Sequence, residues 1–166
     1  MINQMRPQRS THLYDAVLAS IDALSSVRDR KALLIFTDGD DEGSEASMDQ
    51  AVDAARRSHA SLYAVGVLGW SSTGGMKINE GLLSRITGDT GGRVFFPTDE
   101  KEMRRAFDTL SDELHRQYRM TYLPSEVVGQ HGWRNVEVRM TRRKNLVVRT
   151  RSGYFGGAEA VKEGLG

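Results

Sequence analysis

The sequence predicts an α/β fold: a parallel sheet with helices on both faces, followed by a C-terminal antiparallel β-hairpin extension. Three observations carry this. Helical and strand periodicities alternate from Thr11 to Gln117, the order of an α/β sheet built with right-handed crossovers. The first strand, 32–37, is a continuous apolar run, as in a sheet covered on both faces. After position 117 the period changes to two, with Tyr118, Met120 and Tyr122 alternating with polar residues, which suits half-exposed antiparallel strands.

The elements follow in order. Residues 1–10 are polar, contain Pro7 and read as loose chain. Leu13, Val17, Ile21 and Leu24 recur at helical spacing, with Thr11 before them in cap position. After strand 32–37, Ser47 and Gln50 form a capping-box pattern, and Met48, Val52 and Ala55 give that helix its inner side. SLYAVGVL (61–68) is a second apolar strand and GWSSTGG (69–75) a loop. Ile78, Leu82 and Ile86 mark a short helix ending near Gly88. RVFFP (93–97) is a third strand. Asp99 and Glu102 then form another capping-box pattern before Met103, Phe107, Leu110 and Leu114, the stripe of a long helix. Residues 118–123, 133–141 and 146–151 are the antiparallel strands, the last two around the turn 141–145. The tail from Gly156 is Gly-rich.

Composition excludes several classes. The chain has 166 residues, 39% hydrophobic and 27% charged, a globular balance in a single domain of ordinary size. A net charge of +1 names no partner. With no cysteine there is no disulfide, thiolate nucleophile or Cys-based zinc site. No apolar run approaches the roughly 18 residues of a spanning helix, so no membrane insertion is expected. MINQMRPQRS lacks the apolar core of a signal peptide, and the compartment is left open.

The stretch KALLIFTDGDDEGS (31–44) poses the functional question, because an apolar strand delivers Asp38, Asp40, Asp41 and Glu42 at its carboxyl end. Ligands of open α/β sheets collect at that edge. Clustered carboxylates there suit a hard cation such as Mg2+ or Ca2+. Equally, Glu45 and Asp49 flank a helix start, where acids complement the helix dipole in a solvated turn.

The ordered set STHLYDAV (10–17), KALLIFTDGDD (31–41), SLYAVGVL (61–68) and TGGRVFFP (90–97), then a long helix, resembles the latter part of a von Willebrand factor type A domain. More narrowly it resembles the bacterial VWFA-related family, whose members continue into segments similar to QYRMTYLPS, a basic hairpin and RSGYF (151–155). The resemblance covers roughly residues 9–155 and implies a partial doubly wound (Rossmann-like) sheet. It implies a binding or adhesion module, not an enzyme, whose metal-ion-dependent adhesion site completes the coordination of Mg2+ with an acidic group on a protein ligand. Thr11 matches the family's second metal loop and Asp38 the third, with Asp40 and Asp41 as accessory candidates. The first loop, Asp-x-Ser-x-Ser, occurs nowhere in these residues, so Mg2+ binding is expected to be weak or absent. The strands of the family's first half are missing as well. The chain is therefore expected to be a piece of a longer protein or to cover strand 32–37 in another way, a homo-oligomer through that strand included.

Other residue sets carry weaker signals. Asp38-Gly39-Asp40 after a strand resembles the nucleophile and general acid of an Asp-based phosphohydrolase or phosphotransfer domain, but position 42 is Glu where that motif needs Thr or Val. His12, His59, His115 and His131 form no metal-ligand pair. Arg134, Arg139, Arg142, Arg143, Lys144, Arg149 and Arg151 make the hairpin basic. Their alternation with valines reads as the wet face of a sheet, and no nucleic-acid partner is expected. The expected division is 1–123 for the partial type A domain, 124–155 for the hairpin extension and 156–166 for a flexible tail.

Overall fold

The structure is a computed structural model that describes residues 11–67, 69–71, 75–123, 132–142 and 146–156, with backbone alone at 69–71 and 75–77. The reading of residues 1–10 as loose, the tail reading beyond Gly156, the start of the hairpin extension at 124–131 and the turn residues 143–145 lie outside the described residues, whereas Gly156, expected in the flexible tail, closes a strand.

Helix α1 (Leu13–Ala23) precedes β1 (Lys31–Thr37), α2 (Met48–Arg57) and β2 (Ala60–Gly66). Short strands β3 (Gly69–Ser71) and β4 (Gly75–Lys77) follow, then α3 (Glu80–Gly88), β5 (Val94–Phe95) and α4 (Glu100–His115). Strands β1, β2 and β5 form one parallel sheet in that spatial order, as the sequence predicts. Its two faces divide by strand parity. Leu33, Ile35 and Leu62 meet Leu13, Val17, Val52, Ala55, Leu82 and Ile86 from α1, α2 and α3. On the opposite face, Phe36 stacks on Phe107 of α4, with ring centroids 5.8 Å apart. Helices therefore cover both faces.

The loop after α3 is fastened to the central strand. The Thr90 hydroxyl donates to the Thr87 carbonyl at 2.7 Å and accepts from the Leu62 N–H at 2.9 Å. Gly91 (φ +83°) and Gly92 then bring backbone against backbone, Gly92 lying directly on Leu62. Only glycine allows so close an approach.

Several sequence expectations need correction. GWSSTGG is not all loop: Gly69–Ser71 pairs antiparallel with Gly75–Lys77. Thr11 is not the cap of α1; that position is His12, with no side-chain cap bond. The Ser47–Gln50 capping box is complete, but the one at Asp99 is half-formed. Asp99 accepts from the Glu102 N–H, whereas Glu102 turns back to the N–H and hydroxyl of Thr98, both at 2.8 Å.

The extension also departs from expectation. Residues 118–123 are exposed and form no strand, because period-two alternation supplies a face but not a ladder partner. Strands β6 (Gly132–Asn135) and β7 (Gly153–Gly156) pair antiparallel, from Gly132↔Gly156 to Asn135↔Gly153. The midpoint of that register falls at position 144, inside the expected turn, so the hairpin axis is right. Its ladder, however, sits at the far end, and 136–142 and 146–151 are not strand. Packing explains the placement: Trp133 meets Phe155 edge-on at 5.1 Å, and Arg56 and Arg57 of α2 lie over those rings at 5.4 and 4.1 Å. The arm leading into β7 is tied down on two sides. The Ser152 hydroxyl donates to Asp89 at 2.5 Å, and Arg151 reaches the last turn of α2.

Candidate functional site at the carboxyl edge of the sheet

Strand β1 ends in buried Thr37, whose hydroxyl accepts the Gly39 N–H at 3.0 Å. Gly39 has φ +85°, and a Cβ there would stand 2.9 Å from the Asn79 Cβ. A glycine is thus required for the chain to turn away under α3. The turn leaves Asp38 half-buried at the edge, its carbonyl accepting the Asn79 N–H at 2.7 Å and its Oδ1 accepting the Asp40 N–H at 3.2 Å. Asn79 in turn caps α3 through Oδ1 to the Leu82 N–H.

Thr11 lies at this same edge. Its carbonyl accepts the Glu42 N–H at 2.9 Å, and its side chain is exposed. The first turn of α1 beside it has free N–H groups that its own cap residue does not satisfy. The acidic turn satisfies them: Asp41 Oδ1 and Ser44 Oγ both accept the Tyr14 N–H at 3.1 Å, and Ser44 Oγ accepts the Asp15 N–H at 3.2 Å. The Ser44 hydroxyl donates to Asp41 Oδ1 at 2.5 Å, and the Ser44 N–H donates to Asp41 Oδ2 at 3.2 Å. In return, Asp15 on α1 accepts the N–H groups of Glu45 and Ala46 at 3.0 and 2.9 Å. Two carboxylates, one from each side, clasp the helix to the turn.

Charge follows this geometry. Partial burial pushes the Asp41 carboxyl up, but the Ser44 hydroxyl and the N–H groups of Tyr14, Ser44 and Leu13 outweigh it and hold Asp41 below the ordinary 3.8. Asp15 is held low by the backbone N–H groups of Ala46 and Glu45, with His12 assisting. Burial and the charges of Asp41 and Asp40 raise the Tyr14 phenol.

Because Asp41 is depressed in the folded chain, its stabilising contribution is complete above the ordinary value of 3.8 and is lost as pH falls through its folded value. Asp41→Asn should cost about 1 kcal/mol near neutral pH, the scale of a lost helix cap. In urea titrations the gap to wild type should close on acidification below 3.8. A gap that is constant with pH would show that the carboxylate charge plays no part in the clasp.

The sequence-derived candidates are thus brought to one edge, but with different employment. Thr11 is exposed and Asp38 and Asp40 are half-buried around the turn, whereas both oxygens of Asp41 are occupied by donors of the chain itself. Asp49 pairs with Arg85 of α3 at 2.7 Å. Among the described residues, no group of three or more His, Cys, Asp or Glu side chains is arranged to hold a metal ion. Sequence reasoning missed Asp15, Ser44 and Asn79. The acid in the first helical turn and the Asn before α3 were visible signals, but their partners lie across chain separations that local spacing does not reveal.

The family model described as "von Willebrand factor type A domain" matches residues 2–109. The chain belongs to the von Willebrand factor type A domain family, whose members are generally protein–protein interaction modules rather than enzymes. No curated protein matches it. Among solved structures it is similar to an uncharacterized membrane spanning protein from Vibrio fischeri, with 21% identity, 57% of this chain and 52% of that chain covered, and a TM-score of 0.43. It is also similar to the conserved hypothetical protein BatB from Bacteroides thetaiotaomicron, with 15% identity, 68% and 63% covered, and a TM-score of 0.47. The chain therefore spans between half and two thirds of the length of either. Among the described residues, no helix is long and apolar enough to cross a membrane.

Proposed function

We propose that this chain is a protein-binding module that meets its partner at the carboxyl edge of the sheet, through the face carrying Thr11, Asp38 and Asp40. It binds and does not catalyse. The observation that supports this is the double clasp, which joins the start of α1 to turn 38–46 and so presents those residues on a rigid platform.

The family resemblance implies a ligand with an acidic group, bridged by Mg2+. A Mg2+ ion takes about six oxygens in near-octahedral array. One hydroxyl and one or two carboxylates fall short of that, so the residues present do not make a complete site. Isothermal calorimetry with MgCl2 should give, at most, millimolar binding. That heat should vanish in Asp38→Ala. Micromolar affinity that survives Asp38→Ala would remove Asp38 from the site and overturn the assignment.

A second reading, assembly through the sheet itself without metal, is favoured by one feature: among the described residues, β1 has a strand neighbour on one side only.

A further inference from the structure

We propose that the chain carries a second binding surface, at the amino end of the sheet, which takes an acidic extended segment of a partner protein without a metal. It consists of a cleft between Arg30 and Arg119 and the exposed strip Tyr118–Leu123. It is independent of the carboxyl-edge reading, because Arg30 and Asp38 stand at opposite ends of β1, about 25 Å apart along the strand.

The cleft has a volume of about 490 Å³ and is lined by Asp29, Arg30, Gln117 and Arg119. One wall is the chain entering β1 and the other is the chain leaving α4. The two touch where the Arg30 guanidinium donates to the Gln117 carbonyl at 3.5 Å. The Gln117 side chain reaches the phenol of Tyr63, which is buried in β2, so the second wall is tied to the sheet. Arg30 and Arg119 are exposed and bring two guanidinium groups to the cleft against the one carboxylate of its lining, Asp29. A guanidinium presents a planar fork of donors that matches a carboxylate. An acidic side chain entering the cleft would balance the excess cation.

The strip that continues from the cleft is apolar and open. In a strand laid on a core, one parity of side chains is covered. From Tyr118 to Leu123, however, every residue is exposed, Tyr118 and Leu123 by 91% and 94%. The strip is held at both ends, by Gln117 on Tyr63 and by Tyr122, whose ring meets Tyr154 of β7 edge-on at 6.4 Å. A partner therefore finds it in place and has little of it to order on binding. It spans about 20 Å, the length of an extended segment of about six residues. Composition favours a protein partner: Tyr, Met and Arg are enriched at protein interfaces and Lys is depleted. From Arg116 to Arg151 the chain has eight Arg and one Lys, whereas an anionic lipid surface draws on charge and takes either cation. Charge also sets the partner's sign. From Arg116 onward there are ten Lys and Arg against four Asp and Glu, whereas residues 1–115 carry thirteen against eighteen.

An array of synthetic hexapeptides, graded in charge and hydrophobicity and probed with the full chain in EDTA, tests this. Fluorescence anisotropy of the strongest binder then reads the variants, with far-UV circular dichroism as the control for folding. Acidic peptides with apolar residues should bind, and their counterparts with Lys in place of the acids should not. Arg30→Glu and Arg119→Glu should each weaken the binder by at least about tenfold, the scale of a lost charge-assisted hydrogen bond, and Met120→Ser should weaken it severalfold. Lys101→Glu on exposed α4 and Asp38→Ala at the carboxyl edge should leave it unchanged. Raising ionic strength from about 0.05 M to about 0.5 M should weaken it severalfold. An array without preference for acidic peptides overturns the proposal. So does a binder indifferent to both Arg30→Glu and Arg119→Glu, or one lost in Asp38→Ala, which places it at the carboxyl edge. Tighter binding of duplex DNA, or of vesicles of phosphatidylcholine and phosphatidylglycerol, that is lost in Arg119→Glu also overturns it, because the surface would then read phosphate.

Discussion

Gly92→Ala should destabilise the protein more than any other single methyl addition, by at least about 3 kcal/mol. A Cβ at Gly92 would overlap the Leu62 carbonyl oxygen and stand 2.5 Å from its carbonyl carbon. Neither can give way. Leu62 sits in the central strand, is fully buried among residues of α1, α2 and α3, and has its N–H held by Thr90. A flexible side chain could rotate aside, but a paired strand cannot shift without opening the core. Gly88→Ala is the matched control. It ends α3 with nothing within 4 Å of the added methyl, and alanine is the better helix former by about 1 kcal/mol. Urea midpoints should fall steeply for Gly92→Ala and hold or rise for Gly88→Ala. A Gly92→Ala protein within 1 kcal/mol of wild type would mean that the loop does not lie against β2 as described.

Arg151→Met should lower stability by about 2 kcal/mol, on the scale of lost hydrogen bonds to a charged group. The Arg151 guanidinium donates to the Arg56 carbonyl at 2.6 Å and the Ser58 carbonyl at 3.1 Å, and lies 3.2 Å from His59 Nδ1. These are the carbonyls that a helix end leaves without partners, and a cation there also suits the negative end of the helix dipole. Burial presses the Arg151 pKa below its usual range, so the site accepts the cost of desolvation in exchange for satisfying α2. Methionine keeps much of the stem and removes the donors. Hydrogen exchange should then speed up together at the end of α2 and in the β6–β7 ladder, and Arg151→Lys should rescue in part, since one ammonium can donate to the two carbonyls that Nη2 meets but lacks the second nitrogen that reaches His59. Fast exchange in β7 with α2 unchanged would show that the arm does not support the helix.

The parts of the fold that were legible share one property: their signals are local. The apolar run of β1, the helical stripe Leu13–Val17–Ile21 and the Ser47–Gln50 box each lie within one or two turns of chain, and each appears where expected. The illegible parts depend on distant partners. Tyr118, Met120 and Tyr122 carry the alternation of a strand, yet no ladder forms there among the described residues. Trp133 and Phe155 draw the hairpin's pairing away from its turn and onto α2. The candidate site behaves likewise. Asp38 was found through its place after a strand, whereas Asp41 could only be counted as one more acid. Its bond to Tyr14 spans 27 positions, and that distance separates a would-be ligand from a helix clasp.

The clasp also has a mechanical meaning. Asp41 pulls on α1 from the turn and Asp15 pulls on the turn from α1, so a tug on either segment is resisted by bonds anchored in the other. A pull on turn 38–46 is passed by these bonds to the first turn of α1, whose Leu13 and Val17 are seated in the core. The turn and the start of α1 are thereby coupled, each holding the other in place.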